Sequence, residues 1–244
     1  MIRNLKVLIA AAMALMAFGA LSATAHAAEE KFHCSVAPCR ATLAPDETAG
    51  TTTAHHVFVV KGESNGGVKG SSVSFTCNQL SGEATSALAT TTELTFTKLK
   101  YLNSAGEDKC KVGASETVTV DFTECDYKFT STGGGTAEGS EVHVLCPPGQ
   151  AIHIKINGTS CITIDALTAK AIGYHDSNIG GAKKIVTATA NVALPPAAVT
   201  LENIGNANCA AVGLKTVESA TYTTGNTLVK AETEAGVTAN AWFE

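Results

Sequence analysis

Tryptophan occurs once, tyrosine four times and methionine three times in 244 residues. Aromatic residues make up 5% of the chain and charged residues 16%. With Trp242 as its single tryptophan, the chain is poorly supplied with aromatic platforms for stacking sugar rings. Lysine and arginine form no run or patch, which argues against nucleic acid or an anionic membrane as partner. After residue 27 no long apolar run remains, so no later segment reads as a membrane-spanning helix. C-x-x-C and H-x-x-x-H spacings are missing, and so is the calcium-loop pattern. No cofactor is predicted.

The N-terminus is informative. Arg3 and Lys6 precede an apolar stretch from Val7 to Leu21, and Ala25-His26-Ala27 forms an A-x-A cleavage signal. This pattern predicts a secretory signal peptide over residues 1–27, a mature chain from Ala28 and a secreted, extracellular protein. No cysteine sits at the cleavage point, so no lipid anchor and no membrane association after cleavage are expected. The mature part, about 217 residues, can bury a real core as one large β domain or two small ones. Without Arg3 and Lys6, 15 basic residues face 22 acidic ones, a net charge of −7.

All eight cysteines lie beyond residue 27, and an even count in an exported chain points to disulfides. Thr, Ala, Val and Gly dominate, in short alternating segments separated by Gly, Asn, Ser and Pro clusters. The expected strands are His55–Lys61, Ser71–Cys77, Glu93–Leu102, Thr117–Thr130, Ser140–Cys146, Ala151–Ile156 and Ser160–Asp165. Leu167–His175, Lys184–Leu194, Thr216–Thr223, Thr227–Thr233 and Val237–Phe243 complete the set. The fold class is all-β, an antiparallel sandwich or barrel-like meander stapled by disulfides. Pro195-Pro196 divides a main domain, 28–194, from C-terminal strands, 195–244, expected to pack on it. Within Thr117–Thr130 the apolar phase changes. Val118, Val120 and Phe122 are even, whereas Cys125, Tyr127 and Phe129 are odd, so a bend near Thr123–Glu124 should let this strand serve two sheets.

Strand register suggests the disulfides, because a one-residue slip turns every side chain over. Cys125 opposite Cys146 sets Tyr127 against Val144 and Phe129 against Val142, with the Gly-rich stretch Ser131–Ser140 as the hairpin loop. A turn at Pro147-Pro148-Gly149 would then set Val144 against Ile152 and Glu141 against Lys155. A three-residue loop, Asn157–Thr159, would set Ile154 against Ile162 and Ile152 against Ile164. The outcome is a four-stranded meander. Cys125 bonds Cys146, Cys161 takes Cys209, Cys34 takes Cys39, and Cys77 takes Cys110.

The same register places His143 opposite His153, one row from Cys161. These three are the candidate metal ligands, weighed against two exposed imidazoles and a disulfide. His55-His56 is a weaker pair, since neighbours on a strand point to opposite faces. Gly62-Glu63-Ser64-Asn65-Gly66 matches the G-x-S-x-G nucleophile elbow, but turn and strand residues follow where a helix is required. Glu107, Asp108, Asp121, Glu124 and Asp126 could supply the facing carboxylates of a glycosidase only across a cleft. Asn157-Gly158-Thr159 is formally a glycosylation sequon, and Asn-Gly is equally a hairpin turn. No catalytic residue is assigned.

The signal peptide followed by KFHC, HHVFVV, VSFTCNQLSGEAT, TECDYKF, VHVLCPPGQAIHI and SCITI resembles a class of uncharacterised secreted, Cys-containing, β-rich proteins of soil actinobacteria. The resemblance implies a bacterial, secreted protein and transfers no activity. The expectation is a non-enzymatic extracellular or cell-envelope protein, structural or binding, with an extracellular or envelope partner. The alternative is a secreted hydrolase or metal-binding protein using the face around His143 and His153.

Overall fold

A computed structural model describes residues 31–36, 38–45, 56–88, 90–131, 140–171, 173–179, 181–187, 190–224 and 227–243. The expected signal peptide, His55 and most of the Gly-rich loop lie outside these. The described chain is all-β and passes repeatedly between two large antiparallel sheets. It begins with β1 (Phe32–Cys34) and β2 (Cys39–Pro45), then the hairpin of β3 (His56–Gly62) and β4 (Ser71–Cys77). Asn78 alone separates β4 from β5 (Gln79–Leu88), followed by β6 (Thr90–Thr91) and β7 (Glu93–Leu102). Next come β8 (Cys110–Val112), β9 (Ser115–Asp121), β10 (Asp126–Ser131) and β11 (Ser140–Leu145). After them run β12 (Ile152–Ile156), β13 (Thr159–Ile164), β14 (Leu167–Ala171), β15 (Tyr174–Ile179) and β16 (Ala182–Thr187). The chain ends with β17 (Ala190–Leu194), β18 (Val199–Leu201), β19 (Ser219–Thr224), β20 (Thr227–Thr233), β21 (Thr238–Ala239) and β22 (Ala241–Phe243).

One sheet has the order β17-β19-β3-β4-β8-β9-β12-β13-β18. The other runs β14-β11-β10-β7-β5-β2-β20-β16-β15, with β21 beside β20. A small third sheet, β22-β1-β6, joins the first and last described strands. In the first sheet the two edge strands are consecutive in the chain. From Leu194 to Val199 the backbone can span only about 17 Å. Nine flat strands would be roughly 38 Å wide. The sheet therefore curls into a nearly closed, barrel-like surface. The second sheet obeys the same constraint, since its edges β14 and β15 are joined through residues 172 and 173. The inner faces of both sheets form one continuous hydrophobic core.

The phase change in Thr117–Thr130 is a sheet change. β9 pairs with β8 and β12 in the first sheet, and β10 with β7 and β11 in the second. The bend between them begins where the backbone N–H of Thr123 donates to Asp121 Oδ1 at 2.9 Å. Tyr127 lies opposite Val144 and Phe129 opposite Val142, on the expected register. Ile152 meets Ile164 and Ile154 meets Ile162, but the connection differs from the expected three-residue loop. Asn157 and Gly158 take positive φ values of 49° and 79° in a two-residue turn. A bulge after Ile154 then leaves Cys161 without a cross-strand partner and restores the apolar phase.

The four-stranded meander does not form. β11 pairs with β10 and β14, whereas β12 pairs with β9 and β13 in the other sheet. Val142, Val144 and Ile152 do share one apolar space, but across the gap between the sheets. Matching apolar rows satisfies neighbours on one sheet and facing residues on two sheets equally well. The charge pairing changes with it: Lys155 holds Asp121 instead of Glu141. The expected single strands Leu167–His175 and Lys184–Leu194 are each broken, the latter because its halves belong to different sheets. β5 was not expected. Its sequence, QLSGEATSAL, is small and polar and lacks large alternating side chains.

The described cysteines form four disulfides, Cys34–Cys39, Cys77–Cys110, Cys125–Cys146 and Cys161–Cys209, and none is free. Beyond Pro195 the chain supplies β18 to the first sheet's edge, β19 to its interior and β20 to the interior of the second.

Candidate functional site

Between the two sheets lies an apolar cavity of about 50 Å³. Phe58, Ile164 and Leu194 wall it from the first sheet, Phe129, Val144 and Leu167 from the second. Among the described residues, none of the side chains lining it is charged.

One wall carries a polar chain. Strand alternation in β3 turns His56, Phe58 and Val60 inward, and Tyr222 on β19 lies opposite Phe58. Tyr101 on β7 and Tyr127 on β10 approach from the second sheet. His56 Nδ1 lies 2.6 Å from the Tyr222 hydroxyl. The Tyr101 hydroxyl donates to Tyr222 Oη at 2.6 Å and lies 3.1 Å from Tyr127 Oη. The rings pack as well, Phe58 on Tyr222 at 4.5 Å and His56 against Tyr101 at 5.2 Å. Three of the four tyrosines of an aromatic-poor chain thus meet in one place. His56 is 1% exposed and Tyr101 fully buried.

Each hydroxyl has one proton, which orders the chain. Tyr101 spends its proton on Tyr222, so the proton between Tyr127 and Tyr101 belongs to Tyr127. The Tyr222 hydroxyl also meets His56 Nδ1, and the tautomer of the ring sets the direction of that bond. Burial raises the pKa of Tyr101 well above that of a free phenol, and the neighbouring Tyr127 and Tyr222 add to the rise. Burial also raises Tyr127 and Tyr222. These phenols are hydrogen-bonding groups and do not ionise in the physiological range.

A separate groove of about 830 Å³, with Asp108, Asp121, Asp126 and Lys155 in its lining, lies beside the β9–β10 bend. Burial would raise the Asp121 carboxyl, but hydrogen bonds from Lys155 and Thr123 outweigh it and bring the pKa to about 2. Asp108 is raised by burial, with Lys100 opposing and Asp121 adding. Burial raises Asp126 too.

The candidate metal ligands are not brought together. His143 on β11 lies opposite Lys128, with its Nε2 3.6 Å from Glu141. His153 lies on β12 in the other sheet, and Cys161 is bonded to Cys209. Among the described residues, no three His, Cys, Asp or Glu side chains form a metal-ion site. His153 instead meets Ser160, with Nδ1 2.9 Å from Oγ, and Ser160 donates to Glu202 at 2.6 Å. A nucleophilic triad needs the imidazole between hydroxyl and carboxylate. Here the serine is in the middle. Asn203 donates to the Ser160 carbonyl at 2.8 Å and Asn208 to Thr159 at 2.9 Å, so this network pins segment 202–211 to β13.

The G-x-S-x-G stretch is the β3–β4 hairpin loop, closed by Ser64 N–H donating to the Val68 carbonyl at 2.8 Å. Its first glycine meets a packing need, because a Cβ on Gly62 would sit 1.8 Å from the Thr216 carbonyl oxygen.

Reading the sequence alone missed the tyrosine chain. The available signal was a histidine in the inward phase of a strand, His56-x-Phe58-x-Val60. The long-range meeting of Tyr101, Tyr127 and Tyr222 had no local signal.

No protein-family model, curated protein or solved structure matches this chain.

Proposed function

We propose that this chain is a secreted, non-enzymatic binding protein whose site is the apolar cavity between its two sheets. The observation that carries the reading is the cavity itself, with uncharged walls and one polar edge at His56, Tyr222 and Tyr127. Ligand sites are typically concave and mainly apolar, with a few placed polar groups that orient the guest. Four disulfides and the absence of a free thiol among the described cysteines support an oxidising, extracellular setting. Among the described residues no helix is long and apolar enough to cross a membrane.

The test is a panel of small apolar compounds titrated into the isotope-labelled, oxidised protein. Methyl signals of Val144, Leu167 and Leu194 are expected to shift in a saturable way. Val192→Phe, which fills part of the cavity, should abolish the shifts. Saturable binding that survives this filling would place the site elsewhere and overturn the reading.

A second reading, a secreted hydrolase, draws on the groove at the bend. Its neighbouring carboxyls are pushed apart, Asp121 down and Asp108 up, a division that acid–base chemistry uses. Turnover of glycoside or ester substrates that is lost in Asp108→Asn would favour it. Equal turnover by that variant would sink it.

A further inference from the structure

We infer that the groove beside the β9–β10 bend is a second binding site and takes an aliphatic diamine or polyamine, a flexible chain with separated ammonium groups. The site is distinct from the apolar cavity, and the inference stands whether or not that cavity holds a guest. Size, charge and the spacing of the charges lead to it.

At about 830 Å³ the groove falls within the roughly 300–1,000 Å³ of small-molecule sites. Lys98, Lys100 and Lys155 reach its lining, and two of them are committed. Lys98 Nζ lies 2.7 Å from Glu83, and Lys155 holds Asp121. On the acidic side, the carboxylates of Asp108, Glu124 and Asp126 make no hydrogen bond or ion pair among the described residues. With the paired groups set aside, the single ammonium of Lys100 faces three carboxylates, an excess of two negative charges.

Burial raises Asp108 against the opposing charge of Lys100, and it raises Asp126 with no charge offsetting it. Both carboxylates have lost part of their water without gaining a donor, a condition that a cationic guest relieves.

The charges are also spread out. Among the described residues no three His, Cys, Asp or Glu side chains come close enough to hold one metal ion, so one small cation does not satisfy these carboxylates together. A chain with an ammonium group at each end reaches two of them. Leu99, Phe122 and Pro147 contribute to the same lining, which gives the methylenes between the ammonium groups an apolar surface to lie on.

The experiment titrates 1,4-diaminobutane, 1-aminobutane and calcium chloride into the oxidised protein at matched ionic strength. Calorimetry and the carboxyl carbon shifts of Asp108 and Asp126 follow the binding. The diamine is expected to bind saturably and to shift both carboxyls. The monoamine should bind on the order of fivefold more weakly, and calcium should not displace the diamine at equal concentration. Asp108→Asn combined with Asp126→Asn should weaken the diamine on the order of tenfold, whereas Glu234→Gln, outside the groove, should leave it within about twofold. The inference is overturned if the diamine shows no saturable binding, if calcium displaces it, or if the double variant binds it as tightly as the wild type. If that variant does not fold, the wild-type carboxyl shifts and the calcium competition decide the question. These are binding measurements without turnover and away from Val144, Leu167 and Leu194, so their failure leaves the cavity reading standing.

Discussion

The Tyr101 hydroxyl donates to the Tyr222 hydroxyl at 2.6 Å, across 121 residues of chain and between two different sheets. Both rings sit in apolar surroundings, where an unpaired hydroxyl is costly and a paired one helps to fix a unique packing. The contact joins β7 to β19 and continues to His56 on β3. It is a polar chain set within the hydrophobic core.

Removing Tyr222 Oη should therefore cost more than a surface hydrogen bond. Tyr222→Phe leaves both His56 Nδ1 and the Tyr101 proton without this partner. The expected loss is about 1–3 kcal/mol in urea denaturation of the oxidised protein. Tyr101→Phe combined with Tyr222→Phe should cost less than the two single losses added together, because the pair shares one bond. Strict additivity would show that the two hydroxyls act independently.

Asp121 sets an acid limb of stability. Its folded pKa of about 2 lies below the ordinary carboxyl value of 3.8. A lowered pKa contributes stability that is complete above pH ~4 and is lost as pH falls towards 2. The carboxylate and Lys155 are both partly exposed, so solvent screening should keep the contribution on the order of 1 kcal/mol. Asp108 and Asp126 are raised and act with the opposite sign, favouring the fold at low pH and losing that effect as pH rises. The difference between wild type and Asp121→Asn, measured from pH 6 to pH 2, isolates the first effect. It should shrink as pH drops, and a constant difference would refute the assignment.

The disulfides should differ in worth. Cys161–Cys209 spans 48 residues of sequence, whereas Cys34–Cys39 spans 5. In the chain-entropy model the longer loop contributes about 2 kcal/mol more. Replacing Cys161 and Cys209 together with serine should lower Tm well below that of the Cys34, Cys39 double variant. Equal Tm values would show that residual structure in the unfolded chain, or strain, overrides loop length.

Two glycines make a paired test of close packing. A methyl group on Gly62 would meet the Thr216 carbonyl oxygen at 1.8 Å, a backbone contact that cannot rotate away. On Gly82 it would meet Leu99 Cδ2 at 2.8 Å, the end of a side chain and not backbone. Gly62→Ala should cost about 2 kcal/mol or more and detach the 214–218 segment from β3, while Gly82→Ala should cost about 1 kcal/mol. Hydrogen exchange at Glu63 and Lys215 reads the local effect, since the Lys215 N–H donates to the Glu63 carbonyl. Comparable losses from both variants would show that segment 214–218 gives way as easily as a side chain.

Much of the fold was legible because strand alternation is a local property. His56, Phe58 and Val60 face inward because period-two geometry leaves no other arrangement once one of them is buried. The phase change around Thr123 announced a strand shared between two sheets, and the Cys125–Cys146 neighbourhood followed from the rows Tyr127–Val144 and Phe129–Val142. The Asn157-Gly158 turn was legible as a turn but not as a two-residue one, because the bulge that repairs its register has no sequence signature. The candidate site was barely legible, since nothing near Tyr101 indicates Tyr222.

By itself the sequence determined which side chains are turned inward, where strands bend, and that cysteines would staple a β-rich chain. These follow from the two-residue repeat of a strand, from turn residues and from composition. Only the tertiary structure decided which inward faces meet. Val144 and Ile152 face each other across the space between two sheets instead of along one, because apolar burial is non-directional and rewards either contact alike. In the folded chain β11 pairs with β14 and β12 with β9, and the space left between the two sheets is the cavity that His56, Tyr127 and Tyr222 line.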